Sequence, residues 1–581
     1  MSLIDEFKNL PEKVILGLNY SGAHDTAIAI VSPSGEPIFA ISLERITRIK
    51  QDGRPPNILL KDFPWEKVSK VAISVSEKYT KTSIRRSKFH PIGFEVPCDS
   101  DAAHGSRFYK NLNFIPVKKY FIPHHLSHAA SSFWTSGFDE ATCLVYDGGM
   151  FNEEWFGGVY GATNKSGIKL IDGFSADYDS NMTNLYAFVT AALGFTPVKH
   201  EGKVTGLAAY GKVNLACEKL LLSWLSNRDP INGLIHWENL YENLNVPYLS
   251  VNRNVSDFMR NAFKKFKIED VAATLQFIAE NHVLQLLENI RNAGLLSNNL
   301  CLSGGLFANV KINQKVNEQG FDNLFISPPM TDDGAALGAA LQLASKEDEF
   351  LPRKIQTMCL GTSYEEENKT YESIFDKLIF INLGDSVSEV VDLLSKGEEV
   401  AIFQKAMEFG PRSLGNRSIL VSASDFSVNQ KLNEKLKRTE FMPFAPICLE
   451  EDRDDLFYNS ESVKHAMKYM TVTLNCKERM KKLCPAVVHC DGTARPQLLN
   501  ETDSPFLYNV ISEFKRKTGV PALVNTSFNV HEEPIVCTVN DALKGFFESG
   551  LDNLYIDGYL IQLKNNKNIQ LEYLKEISLR K

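Results

Sequence analysis

The chain has 581 residues, 44% hydrophobic and 23% charged, with a net charge of −8. That length supports several domains with sizeable cores, and with no basic run the electrostatic footprint of a nucleic-acid binder is missing. The opening MSLIDEFKNLPEK lacks the pattern of a secretion signal, no run of about 18 apolar residues offers a membrane span, and the ten cysteines form no C-x-x-C pair, which fits a reducing cytoplasm rather than a zinc ribbon or disulfide scaffold.

From Val14 the chain reads strand, turn, strand, turn, strand: VILGLNYSGAHDTAIAIVSPSGEPIFAISLER, with SPSGEP as a hairpin turn. More strands are expected at KVAISV, KKYFI and ATCLVYDGG. Apolar periodicity predicts a long helix from Glu269 to about Ala293. Two stretches then repeat one theme of strand, small-residue turn and helix: NLCLSGGLFANVKINQKV and LFISPPMTDDGAALGAALQLA. This is an α/β pattern with turns at strand ends, where open sheets place ligands. It lapses over Lys346–Ser363, the expected domain junction. A second α/β unit follows from Tyr364 to about Leu563, then a Lys/Asn-rich tail. No strict repeat is visible.

In FIPHHLSHAASSFW, His124 and His128 lie four apart and share a helix face. With 12 histidines such a pair arises readily by chance, and His125 leaves the choice of ligand open. Asp147 ends an apolar strand ahead of Gly148 and Gly149, and Asp332 has the same setting in PPMTDDGAALGAA. Two imidazoles and two carboxylates make a mixed site suited to a divalent transition ion with open positions. Gly304, Gly305 and Asn309 in CLSGGLFANVKIN offer a turn at a helix start that can cradle phosphate, although caps and tight turns use the same residues. Lys203 in HEGKVTGLAAYG either meets an anion or is solvated.

The second half holds Arg412 and Arg417 in MEFGPRSLGNRSIL, His489 and Arg495 in HCDGTARPQLL, and Asn525 and Ser527 in NTSFNVHEEPIV. Arginine forks in polar, Gly-rich loops suit phosphate or carboxylate. The plainer alternative is a set of surface salt bridges.

These motifs together resemble the O-carbamoyltransferases of the nodulation-factor and antibiotic-tailoring type. GLNYSGAHDTA, SLERITRIK, HHLSHAASSFW, YDGG, EGKVTGLAAYG, LCLSGGLFANVKIN, DDGAALGAA, MEFGPRSLGNRSIL, MPFAP, HCDGTARPQ and NTSFN…EEPIV occur in family order over nearly the whole chain. The resemblance implies an actin-like N-terminal domain, residues 1–355, and a YrdC-like α/β domain, residues 356–581. It implies that the C-terminal domain makes carbamoyl-adenylate from carbamoyl phosphate and ATP, and that the N-terminal domain moves the carbamoyl group to an acceptor hydroxyl.

By motif, His124, His128, Asp147 and Asp332 hold a divalent metal, Fe2+ by family, with Mg2+ a further candidate ion. His24 and Asp25 stand at the acceptor. Lys203, Gly304, Gly305 and Asn309 meet the nucleotide in the N-terminal domain. Arg412, Arg417, Lys437, Arg438, His489, Arg495, Asn525 and Ser527 line the carbamoyl phosphate and ATP site. The family's lysine two before the arginine upstream of PFAP is replaced here by Leu436, flanked by Lys435 and Lys437; Ser413 and Thr331 also depart from the family pattern. The expected partner is a small-molecule hydroxyl acceptor, a sugar or natural product, with no nucleic acid and no membrane; a homodimer is left open. Competing readings are a threonylcarbamoyl-type tRNA-modifying enzyme, which the acidic charge disfavours, and a non-catalytic nucleotide-binding homologue. A metalloprotease would need the glutamate of H-E-x-x-H, which is missing.

Overall fold

The computed structural model describes residues 3–8, 10–21, 24–75, 94–95, 111–148, 155–175, 182–223, 251–363, 377–437, 444–530 and 532–580. The first apolar segments form β1 (Val14–Asn19), β2 (Ala27–Val31), β3 (Pro37–Ser42), β4 (Val68–Val75), β5 (Phe94–Glu95) and β6 (Lys119–Pro123). They build one sheet in the order β3-β2-β1-β4-β6-β5. A second sheet uses β7 (Glu140–Tyr146), β8 (Trp155–Thr163), β9 (Gly167–Ser175), β10 (Asn299–Ser303) and β11 (Asn323–Ile326), in the order β11-β10-β7-β8-β9.

The two sheets share one plan. In each, three consecutive strands run antiparallel; the first of them, β1 or β7, pairs in parallel with a later strand, β4 or β10, which in turn pairs in parallel with a further one, β6 or β11. This duplication is the actin-like arrangement. It lies in strand order, not in residue identity, which is why no repeat shows in the sequence.

Two helices fill the space between the sheets. His124–Ser136 follows β6 of the first sheet yet packs on β7, β8 and β10 of the second; Asp333–Ala344 follows β11 of the second sheet and packs on β1, β2 and β4 of the first. The helices also pack closely on each other. Small residues make this possible. All twelve residues of DGAALGAALQLA are buried, and a Cβ added at Gly338 would fall 1.8 Å from the Ser127 carbonyl oxygen. At Gly17 in β1 it would fall 2.0 Å from the Ala336 carbonyl oxygen. The Ser and Thr hydroxyls of the first helix are buried too, and Ser131, Ser132, Thr135 and Ser136 donate to carbonyls three or four residues back.

The C-terminal domain is built on eight strands: β12 (Phe380–Asn382), β13 (Val400–Phe403), β14 (Arg417–Ser422), β15 (Ala445–Leu449), β18 (Gln497–Leu499), β19 (Ala522–Ser527), β20 (Asn553–Ile556) and β21 (Tyr559–Gln562). Their order is β12-β21-β20-β13-β14-β19-β15-β18, with a small ribbon of β16 (Leu474–Asn475) and β17 (Thr493–Ala494) beside them. The expected lapse after Lys346 is an extended bridge. Leu360 O accepts from Ala40 of β3, while Gly361 N–H donates to the carbonyl of Met407 in the C-terminal domain's loop and Met407 N–H donates back to the carbonyl of Thr362. The Lys/Asn-rich tail differs from expectation: Lys567–Arg580 is a helix, because Ile569 and Tyr573, four apart, pack against the core, with Tyr573 5.4 Å from the Phe547 ring. No described helix is long and apolar enough to cross a membrane.

Candidate metal centre and interdomain cavity

The duplicated plan brings two sets of strand ends to one place. Strands β1, β4 and β6 run parallel and end at Asn19, Val75 and Pro123; β7, β10 and β11 run parallel and end at Tyr146, Ser303 and Ile326. Each helix between the sheets starts at such an edge. His124 is therefore the first residue of one helix, with His128 a turn later, and Asp332 caps the start of the other. Asp147 follows β7 directly.

The four side chains converge. Their donor atoms all lie within 4.8 Å of one another. His124 Nε2 is 3.1 Å from Asp147 Oδ2 and 3.4 Å from Asp332 Oδ1; His128 Nε2 is 3.4 Å and 3.6 Å from the same two oxygens. Outer contacts fix their aim. Ser74 Oγ meets His124 Nδ1 at 3.2 Å, and Gly305 N–H donates to Asp147 Oδ1 at 2.8 Å. Two imidazole nitrogens and two carboxylates held by partners of this kind fit a divalent first-row ion. His125, the other candidate, turns away from the cluster and is buried.

Electrostatics follow from crowding. Burial would lower the pKa of both cluster histidines, but the facing carboxylates outweigh it, and His124 is held well above the ordinary imidazole value. Burial opposes ionisation of Asp147 and Asp332 as well, yet the imidazoles hold both below the usual carboxylate range. His24 Nδ1 sits 3.0 Å from Asp25 Oδ2 and 3.7 Å from Asp332 Oδ2, so His24 and Asp25 adjoin the cluster. Burial lowers His24, but its bond to Asp25 and the charge of Asp332 carry it to about 9; burial raises Asp25. Asp25 has φ 54°, a strained turn held by Asn19 Nδ2 donating to its carbonyl at 2.8 Å.

A cavity of about 370 Å³ lies where the two domains meet. The N-terminal domain supplies Thr205, Gln276, Glu280 and Lys311 to its wall; the C-terminal domain supplies His489, Asp491 and Arg495. Lys311 Nζ bridges the seam to Asp491 Oδ2 at 2.8 Å, and His489 Nδ1 is 3.3 Å from Asp491 Oδ1. The chain from Gly305, bonded to Asp147, to Lys311 runs from the cluster to this cavity. Asn309 caps the helix Val310–Asn317 and bonds Gln276 at 2.8 Å. Gly304 has φ 98° and lies against Tyr146, while Gly305 gives its N–H to a carboxylate. Lys203 pairs with Glu532 at 3.6 Å, across the domain seam.

The remaining C-terminal residues divide. Arg417 is fully buried; its guanidinium donates to the carbonyls of Gln404, Asn416, Lys405 and Thr362 and stacks 3.7 Å over Phe403. It therefore braces the loop from within, while Arg412 stands half-buried on that loop. Asn525 Nδ2 donates to Gln497 Oε1 at 2.6 Å, and Ser527 Oγ to Asn529 Oδ1 at 2.6 Å, both on β19 beside the loop. Lys435 is tied to Glu399 and Asp552 and Leu436 is core, which leaves Lys437 exposed at φ 55°. Arg438 and Gly149 lie outside the described residues.

Residues 101–341 match the family described as Carbamoyltransferase N-terminus, and residues 391–563 the one described as Carbamoyltransferase C-terminus. The chain belongs to the carbamoyltransferase family. This carbamoyltransferase is 31% identical to nodulation protein NolO of Bradyrhizobium diazoefficiens over 76% of this chain and 78% of that one. It is 29% identical to nodulation protein NolNO of Sinorhizobium fredii over 93% of this chain and 79% of that one. An uncharacterized protein of Methanocaldococcus jannaschii is 31% identical over 95% and 99%. Among solved structures, full-length HypF in its phosphate- and nucleotide-bound form aligns over 59% of this chain and 57% of that chain at 14% identity and a TM-score of 0.30, too distant to bear on function.

Sequence reasoning on the carbamoyltransferase missed Ser74 and Glu408. Glu408 is 1% exposed, and its Oε1 accepts from the backbone N–H groups of Leu414, Asn416 and Arg417 at 2.7, 2.7 and 3.2 Å. A lone acidic residue in MEFGPRSLGNR carries no signal for this, because the bonds it accepts come from the backbone.

Proposed function

We propose that the protein is an ATP-dependent O-carbamoyltransferase with two sites. The convergence of His124, His128, Asp147 and Asp332 beside His24 and Asp25 carries the reading. In the C-terminal domain, carbamoyl phosphate, ATP and water give carbamoyl-adenylate, pyrophosphate and phosphate. Arg412 and Arg495, with the exposed Lys437, offer the cations that these anions require, and His489 adds a polar group. The cavity between the domains suits the adenylate: Gln276 and Glu280 present polar groups, Phe277 and Val310 an apolar wall, and Lys311 a charge for phosphate.

In the N-terminal domain the acceptor oxygen bonds to the carbamoyl carbon, the bond to the adenylate oxygen breaks, and AMP leaves with that electron pair. Asp25 takes the hydroxyl proton, since its carboxylate is made more basic by burial while His24 is already charged near neutral pH. His24 keeps Asp25 oriented. A divalent ion, Fe2+ by family resemblance, held by the four cluster residues would supply Lewis-acid polarisation of the carbonyl or phosphoryl oxygen. The acceptor is a small hydroxyl compound, a sugar or natural product. Incubation with carbamoyl phosphate, ATP and a small-molecule extract tests this: a metabolite heavier by one carbamoyl group is expected, dependent on ATP. No ATP-dependent gain, with no pyrophosphate formed, would refute it.

A further inference from the structure

The short helix Leu43–Thr47 holds Arg45, Arg48 stands at its C-cap, and both side chains cross to the other domain. Arg45 is 4% exposed and donates from Nη2 to the carbonyl of Gly410 at 2.8 Å. Arg48, in the left-handed conformation at φ 60°, donates to the carbonyls of Ile535 and Pro534, each at 2.6 Å. Exposed ion pairs contribute little; a desolvated guanidinium giving its N–H to a backbone carbonyl across a seam is a different device, because removing it leaves a buried acceptor unmet.

The two ends of the Arg45 contact matter. On one side, Leu43 N–H donates to Thr26 O at 2.7 Å, directly after His24 and Asp25. On the other, Gly410 begins the turn that carries Arg412, and the Glu408 carboxylate binds three amides of that turn, so it moves as a unit. Gly410 itself, at φ 109°, lies against Pro328 and Pro329, just ahead of Asp332. One hydrogen bond thus joins the acceptor corner of the transfer site to the arginine loop of the activation site.

We infer that Arg45 is a positioning residue that registers the Arg412 loop against the His24–Asp25 corner and so keeps carbamoyl-adenylate from water between its formation and its use. The inference rests on the two-site reading above. With the register lost, water's oxygen bonds to the carbamoyl carbon, the bond to the adenylate oxygen breaks, AMP leaves with the electron pair, and carbamic acid gives its proton to solvent. Activation then runs on without an acceptor.

The experiment mixes the full-length protein with carbamoyl phosphate and ATP, no acceptor, and follows pyrophosphate and AMP. The wild type should release about one pyrophosphate per chain and then idle, since an enclosed adenylate is shielded from hydrolysis. Arg45→Met should keep turning over, with acceptor-free AMP formation at least about tenfold faster, and Arg45→Lys, which keeps a donor, should fall between. A merely structural role would lower the melting temperature without raising idle turnover. Should Arg45→Met fail to fold, Arg45→Lys alone decides on the same readout. Idle rates equal to wild type, or loss of the first pyrophosphate in the variants, overturns the assignment; absence of pyrophosphate in the wild type refutes the two-site reading instead.

Discussion

Gly338→Ala sets two rules of helix chemistry against each other. Inside a helix, alanine in place of glycine stabilises by about 1 kcal/mol through propensity. At Gly338 the new Cβ would lie 1.8 Å from Ser127 O and 2.8 Å from Ser131 N, whereas real Cβ contacts essentially never fall below 3.0 Å. The shortfall to the Ser127 carbonyl, 3.0 minus 1.8, is 1.2 Å, and it meets rigid backbone. A shortfall this large against backbone puts the overpacking cost at the upper end of its range, about 3 kcal/mol, so after the gain of about 1 kcal/mol the net expectation is a loss of about 2 kcal/mol. Gly202, near the start of the helix Glu201–Ala208, has nothing within 4 Å of the same Cβ, so Gly202→Ala should be neutral or stabilising by up to about 1 kcal/mol. Urea unfolding followed by tryptophan fluorescence measures both. Because the helix with Gly338 carries Asp332 and the one it meets carries His124 and His128, the separation should also weaken divalent-ion binding. Gly338→Ala as stable as Gly202→Ala would show that the close approach does not set the packing.

Divalent-ion content should vanish in His128→Ala, and Ser74→Ala should lower affinity about tenfold by releasing His124 Nδ1; elemental analysis and competition titration check both. Since the facing carboxylates raise the cluster histidines, ion binding must expel protons, so affinity should go on rising as pH passes above 7, with proton uptake by buffer as the calorimetric measure. Asp25→Asn should cut acceptor carbamoylation by about 10²–10⁴-fold while the first pyrophosphate persists. His465 is driven down to about 3 by burial and by the charges of Lys354 and Lys468. Its contribution to stability is therefore complete above about pH 6.5 and lost as pH falls, about 2 kcal/mol by pH 5; in His465→Phe the fall in urea midpoint between pH 6.5 and 5 should be correspondingly shallower.

The convergence of His124, His128, Asp147 and Asp332 was legible because strand ends, Gly turns and an i, i+4 spacing are local patterns. Spacing alone left His125 open beside His128; the family motif named His128, and the structure puts His128 in the cluster. The long helix Ile268–Asn292 and both strand–turn–helix units also follow from periodicity. Arg417 was not legible: an arginine in a Gly-rich loop looks the same whether its fork meets phosphate or four backbone carbonyls. A cap at Asn309 was among the readings its motif allowed, but its bond to Gln276, a residue of the cavity wall, was not. Arg45 and Arg48 sat in a conspicuous motif, SLERITRIK, yet their partners lie more than 360 residues away along the chain, Gly410 being 365 positions beyond Arg45.

The packing and the chemistry of the N-terminal domain are one constraint. Each helix that brings residues to the cluster leaves one sheet and lies on the other, so the cluster forms only if both helices fit the gap at once. Gly17 and Gly338 each bring backbone against backbone in that gap, with would-be Cβ distances of 2.0 and 1.8 Å. A larger residue at either forces the packed layers apart and, with them, the pair Asp147 and Asp332 that must face His124 and His128. Stability and ion affinity should therefore fall together in this layer. In the interdomain cavity they should part, because Arg495 and His489 line open space and their loss leaves the two-sheet core intact.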